Sequence, residues 1–216
     1  ITSSDNLVIS GIVGGSTELS SYTINSSGDA TISVNVTTSG NQSYTASNGF
    51  VLSGARTFEG GTITFASTTT GDNNLTITGN LDVDAAISGI GVLGVSGTSN
   101  LGANISSTGT QVYTGAVTLS AAVTLTTTSD VITFSDTVNS ANSTKRNLTL
   151  ATGGDSTEIN FDGIVGGSNS VGAIAITGVL DLNAAITAAT SVSVSGTSNI
   201  GADVTTTSTQ LYSGNV

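Results

Sequence analysis

Residues 75–117 read LTITGNLDVDAAISGIGVLGVSGTSNLGANISSTGTQVYTGAV, and residues 174–216 read IAITGVLDLNAAITAATSVSVSGTSNIGADVTTTSTQLYSGNV. The two align without a gap, 99 residues apart, with 22 identities in 43 positions. Most differences are conservative, such as Leu101 for Ile200 or Ile105 for Val204. A degraded third copy precedes them. GIVGGSTEL at 11–19 matches GIVGGSNSV at 163–171, and VTTSGNQSYT at 36–45 matches VTTTSTQLYS at 204–213. These landmarks lie 16 residues closer together in the first copy. Likewise, Tyr44 to Tyr113 spans 69 residues where Tyr113 to Tyr212 spans 99. Whole blocks are lost while the flanking words survive. A globular core would be torn by such deletions, whereas a solenoid, whose coils touch only their neighbours, can drop a coil and rejoin. The chain therefore reads as one solenoid segment over 1–216, built from degenerate large repeats at about 1–45, 46–117 and 118–216.

A smaller period runs inside each copy. Short stretches such as VTLTTT at 123–128, VITF at 131–134, NLTLAT at 147–152, AIAITG at 173–178 and SVSVSG at 191–196 place apolar residues at every second position. That is the strand period. Turn signals (TSD, TGGD, VGGSN, SGTSN) separate them,. No window carries an apolar stripe at helical spacing, and even DAAISG and NAAITAAT are expected to be strand,. The spacing predicts an all-β parallel β-helix of about 11 coils of roughly 20 residues, without helices of note, forming a rod about 50 Å long. Val, Ile, Leu and the phenylalanines Phe50, Phe65, Phe134 and Phe161 should point inward, Thr and Ser outward, with Gly and Asn at the corners,.

Composition agrees. The chain has 28 Gly and no Pro, Cys, Met, Trp or His, and Ser and Thr make up about a third of it,. Proline cannot donate to a ladder, so its absence fits a chain whose strands are paired above and below. Hydrophobic residues reach 37%, enough for a core. The net charge of −11 comes from 14 acids against Arg56, Lys145 and Arg146. Three basic residues cannot neutralise a phosphate backbone, and an acidic surface gains nothing from anionic lipid, so nucleic acid and membrane insertion are set aside as partners. No apolar run reaches bilayer length, and ITSSDNLVIS lacks a signal peptide's charged start,.

The phrases VTTTSTQLYSGNV, TGTQVYTGAVTLSAAVTLTTTSDVITF, NLTLATGG and FDGIVGG (161–167) resemble the repeat regions of giant secreted bacterial exoproteins of the filamentous-haemagglutinin type. The resemblance covers nearly the whole chain. It implies a β-helical shaft, export through an outer-membrane partner, and a part in adhesion or biofilm cohesion.

Candidate sites are sparse. Asp82 and Asp84, in LDVDAA, are the nearest carboxylate pair, and at i and i+2 on a strand they would face the same way,. Their repeat counterparts are Asp181 and Asn183, and no basic partner adjoins them, so a solvated face is expected in place of acid–base chemistry,. GGDSTEINFDG offers Asp155, Glu158 and Asp162 as hard oxygen ligands for calcium but follows neither the EF-hand nor the nonapeptide spacing, so an acid-rich turn is the default,. Without His or Cys, zinc and redox metals are not expected. NSTKRN, with Lys145 and Arg146, reads as a solvated loop between coils. Tyr44, Tyr113 and Tyr212 fill one slot per large repeat, where corner packing is expected over a carbohydrate platform,. Seven N-x-S/T sequons begin at Asn25, Asn35, Asn41, Asn74, Asn104, Asn142 and Asn147. With 18 Asn in this composition about six arise by chance, so they do not by themselves argue for glycosylation,. Thr-x-Thr pairs (LTITG, VTLTTT, GTITF) are reminiscent of ice-binding arrays, but variable coil lengths are expected to throw them out of register.

No catalytic, cofactor-binding or metal residues are therefore assigned, and no cofactor or enzymatic activity is expected. The expectation is a stiff shaft or spacer of a large extracellular adhesin or biofilm-matrix fibre at the cell surface. Its partners would be flanking repeats of the same chain or neighbouring copies, or a cell-surface or matrix polysaccharide. Alternatives are a self-assembling fibre subunit and a polysaccharide-binding or cleaving β-helix. Both ends read as uncapped coils, and the parent chain is expected to resume after Val216 with something like Thr-Leu-Ser.

Overall fold

The computed structural model describes residues 1–153 and 157–216. Its 27 strands pair in parallel throughout, and no helix occurs among the described residues. The chain winds as a three-sided β-solenoid of about ten turns. The eleven-coil expectation counts rungs: side 2 carries eleven, from Thr2–Ser3 to Val204–Thr206, separated by ten turns. Side 1 stacks Val36, Phe58, Ile77, Val95, Tyr113, Phe134, Phe161, Leu182 and Ile200. Side 2 includes Tyr44, Phe65, Val83, Leu101, Leu119 and Ser140. Side 3 ends in Ile105, Leu125, Leu150, Ile176, Val194 and Tyr212.

Alternation in the sequence becomes burial pattern. The strands Val123–Thr127 and Leu148–Thr152 both run buried, half-buried, buried, half-buried, buried. Each inward Val, Ile, Leu or Phe contributes about 1.5–3 kcal/mol by leaving water. Because the pairing is parallel and in register, like sits on like. Tyr113, Phe134 and Phe161 form a column with ring centroids 5.3 and 5.1 Å apart and planes within 10°. Tyr44 stacks on Phe65 at 5.5 Å. Such pairs add about 0.5–1.5 kcal/mol each beyond burial.

Corners take up most of the variation in coil length, with bulges inside the strands Ile87–Ile90 and Ile186–Val194. Leu75, Leu93 and Gln111 are successive rungs 18 residues apart, whereas Phe134 to Phe161 takes 27, yet both steps keep strand pairing unbroken. Three corners are turned without leaving the sheet, inside the strands Arg56–Phe65, Leu75–Val83 and Ile186–Val194. Gly79 makes the second possible, with φ at 145° and a would-be Cβ 2.1 Å from the Gly60 carbonyl oxygen. Its counterpart in the next repeat, Gly178, has φ at 137°.

The large repeat is out of phase with the turn. Ile77 lies on side 1, but its counterpart Ile176 lies on side 3. Val83 and Leu182 lie on sides 2 and 1, and Ile105 and Val204 on sides 3 and 2. From Tyr113 to Tyr212 the chain makes four turns and two further sides, and from Tyr44 to Tyr113 three turns and two sides. The two repeats differ by one whole turn, the block whose loss the sequence shows. Each repeat thus advances its residues by two sides, two-thirds of a turn, and Tyr44, Tyr113 and Tyr212 occupy sides 2, 1 and 3.

Candidate functional site

The repeated tyrosine anchors a polar cluster inside the apolar bore. Tyr44 and Tyr113 are fully buried, so interior packing replaces the corner position expected for them. The Tyr113 hydroxyl donates to Gln111 Oε1 at 2.9 Å, and Gln111 Nε2 donates to Ser107 Oγ at 3.1 Å and to the Thr126 carbonyl of the next coil at 2.9 Å. Ser107 Oγ in turn donates to the Gly109 carbonyl at 2.6 Å. Tyr44, Gln42 and Thr38 repeat this arrangement, with the next-coil bond made to the Glu59 carbonyl at 2.7 Å. Tyr212, Gln210 and Thr206 repeat its within-coil bonds near the surface, with Gln210 Nε2 donating to the Val204 carbonyl at 2.9 Å. A buried glutamine without these partners would cost several kcal/mol, so the phrase T/S-x-x-x-Q-x-Y specifies a hydroxyl–amide–phenol unit that ties one coil to the next. Sequence reasoning singled out the tyrosines and missed the glutamines and hydroxyls. Their fixed spacing in all three copies was the available signal. Burial pushes the Tyr44 and Tyr113 phenols far above the ordinary range, with the Tyr22 phenol adding to the shift at Tyr44.

The carboxylate candidates are spent on structure. Asp82 points outward from side 2, where Asn100 Nδ2 donates to Oδ1 at 2.8 Å and Thr64 Oγ1 to Oδ2 at 3.3 Å. Asp181, its counterpart, is held on side 1 by Asn199 at 2.7 Å and Asn183 at 3.1 Å. The strand ends at Val83, so Asp84 sits in the bend beyond it, where strand alternation no longer sets its direction. Partial desolvation, then the Asp82 charge, raises the Asp84 carboxyl above its usual value. The partners of Asp82 in these bonds are the neutral side chains of Asn100 and Thr64.

Of the calcium candidates, Glu158 and Asp162 stand at opposite ends of the strand Glu158–Phe161, about 13 Å apart along it,. They do not converge, and Asp162 is engaged by Asn183 Nδ2 at 2.9 Å. Asp155 lies outside the described residues. No group of three or more acids with metal-binding geometry occurs among the described residues.

Asparagines line the corners in one direction. The Oδ1 atoms of Asn6, Asn35, Asn41, Asn74, Asn80, Asn104, Asn139 and Asn147 each accept a backbone N–H from the following coil, at 2.8–3.0 Å. Five of the seven sequon asparagines belong to this set, which accounts for them structurally. The Thr-x-Thr pairs keep register, contrary to the expectation from coil length, because the strands that carry them pair without a shift at these residues. They lie on different sides, however: 61–65 on side 2, 75–79 on side 1 and 123–128 on side 3. A shallow hollow of about 430 Å³ near residues 8–14 is lined by Val8, Ile12, Leu19 and Tyr22 and carries no carboxylate or basic side chain.

No protein-family model matches this chain, and no curated protein or solved structure does. What the fold itself defines is a class: a repeat protein of the parallel β-solenoid type.

Proposed function

We propose that this chain is a shaft segment of a long extracellular adhesin or matrix fibre, a stiff spacer whose work is mechanical. The observation that carries this reading is the two-thirds-of-a-turn advance of the large repeat. A binding or catalytic solenoid keeps its distinctive residues on one face, where they can form a groove or platform. Here the same words face three directions in turn, and what they contribute are bonds between coils: the Tyr–Gln units inside and the Asp–Asn rungs outside. Side-chain chemistry is spent on joining neighbours, which suits a rod that must be long, stiff and indifferent to direction. The partners in this reading are flanking repeats, and the location is the cell surface or the matrix around it. Its filamentous-haemagglutinin-like wording supports the same assignment.

The test is to purify the segment and offer it a panel of surface and matrix polysaccharides. The shaft reading predicts no saturable binding and no release of reducing ends. Release of reducing ends would replace it with a glycan-cleaving β-helix.

A further inference from the structure

The chain's three basic residues are in opposite structural situations. Arg56 begins a strand, its backbone pairs with Leu75, its N–H donates to the Asn74 carbonyl at 2.9 Å, and its guanidinium is folded onto the Ser53 carbonyl. Lys145 and Arg146 lie in residues 141–147, between the strands Val138–Ser140 and Leu148–Thr152. This is the longest stretch without a ladder partner among the described residues. Its ends are pinned: the Ala141 N–H donates to the Leu119 carbonyl, and the Asn147 carbonyl accepts from Val123. Residues 141–145 are all exposed. From 142 to 145 the backbone bond found is a local one, from Thr144 N–H to Asn142 Oδ1. At Arg146 order returns, with its N–H on Ser140 Oγ at 3.0 Å and its carbonyl accepting from Gly172 at 2.7 Å. Lys145 is therefore the last residue of the free stretch.

An endoprotease takes its substrate as an extended strand, through backbone groups that are not already bonded. Serine proteases with an acidic specificity pocket require Lys or Arg before the cut bond. Residues 142–145 meet the first condition on the acyl side of the bond, and Lys145 meets the second. On the leaving side Arg146 must release its bonds to Ser140 Oγ and Gly172. Arg56 meets only the second condition and would have to open a strand. We propose that the Lys145–Arg146 peptide bond is a processing site for an endoprotease of trypsin-like specificity. Water supplies the second reactant: the amide bond breaks, hydroxide adds to the Lys145 carbonyl carbon, and the proton goes to the new Arg146 amine. The cut does not release the pieces, because 138–140 and 148–152 remain laddered to 117–119 and 123–127 on one side and to Val165 and 174–177 on the other. It leaves a rod that is covalently broken but still assembled, with one defined plane of separation. This assignment does not depend on the shaft reading.

Trypsin serves as the probe on the native 216-residue chain, with fragments weighed under denaturing conditions and the same samples passed over a native sizing column. One first cut is expected, giving 1–145 and 146–216, which elute together at the parent position. Cleavage after Arg56 should be slower by at least about tenfold, since it requires the strand to open first. Lys145→Gln should slow the first cut by a similar factor, and the heat-unfolded chain should be cut at all three basic residues. The proposal fails if Arg56 is cut first or equally fast, if the native loop survives while the unfolded chain is cut, if Lys145→Gln is cut after Arg146 at the original rate, or if the fragments part on the native column.

Discussion

Tyr113 and Tyr212 are the same residue in two copies, but in the 216-residue chain only Tyr113 lies between two coils. Tyr113 is fully buried and its Gln111 partner has no other donor at Oε1 in the unit, so Tyr113→Phe strands a buried acceptor. A loss of about 1–2 kcal/mol is expected in chemical denaturation. Tyr212→Phe removes a 3.4 Å bond near the surface and should cost less than about 0.5 kcal/mol,. Glycines divide the same way. Gly79 combines positive φ with no room for a Cβ, so Gly79→Ala should cost about 2 kcal/mol or more,. Gly94 has open space around its would-be Cβ and an ordinary backbone, so Gly94→Ala should be neutral or stabilise by up to about 1 kcal/mol,. At this scale the sequence disclosed the inward positions well: Phe50, Phe65, Phe134 and Phe161 are all buried, as alternation implied. It disclosed polar interiors poorly, because a buried Gln is indistinguishable from a surface Gln until its partners four and two positions away are placed with it. Asp84 shows the other limit, since a two-residue spacing predicts a common face only while the strand lasts.

Strands and corners carry different tolerances. A single residue inserted between Ile132 and Thr133 would turn the rest of that strand inside out, exposing Phe134 and burying polar atoms,. Two residues inserted in 141–147 only lengthen a loop, at a loop-closure cost well under about 1 kcal/mol. Thermal melts should show the first variant strongly destabilised or unfolded and the second close to the parent. A comparable drop from both insertions would mean that the corners are not the adjustable part. The element scale is also where legibility was mixed. Strand existence followed from period-two alternation, and the tolerance of missing blocks pointed to coils. Register along the rod was underestimated, because coil length measured along the sequence does not say whether extra residues sit in a strand or outside it.

Across the molecule, pH should act through the buried phenols. Burial raises the tyrosines in the fold above their unfolded value near 10, so above that pH the unfolded chain loses protons that the folded chain keeps,. Stability then falls as pH rises through and beyond about 10 and is unaffected by this term below it. Denaturation midpoints measured from pH 8 to 11 should be flat and then drop, and Tyr113→Phe should shrink the drop. The two-thirds-of-a-turn phase of the repeat was not legible in the sequence at all. It depends on the number of sides per turn and on where corners absorb residues, and neither is written in any single copy.

The central claim is that each coil adds a fixed length to a stiff rod and can be removed without harm to its neighbours. The chain has no native cysteine, so Thr31→Cys and Ser193→Cys, both outward on side 3, can carry a pair of spin labels without side reactions. Eight turns separate them, about 38 Å at a ladder spacing of about 4.8 Å,. Deleting residues 75–92 removes one turn and brings Leu93 into the place of its rung partner Leu75. Pulsed dipolar spectroscopy on the doubly labelled parent and deletion variant should give two narrow distance distributions, the second shorter by about 5 Å. A broad distribution, or a deletion variant that unfolds, would contradict the account.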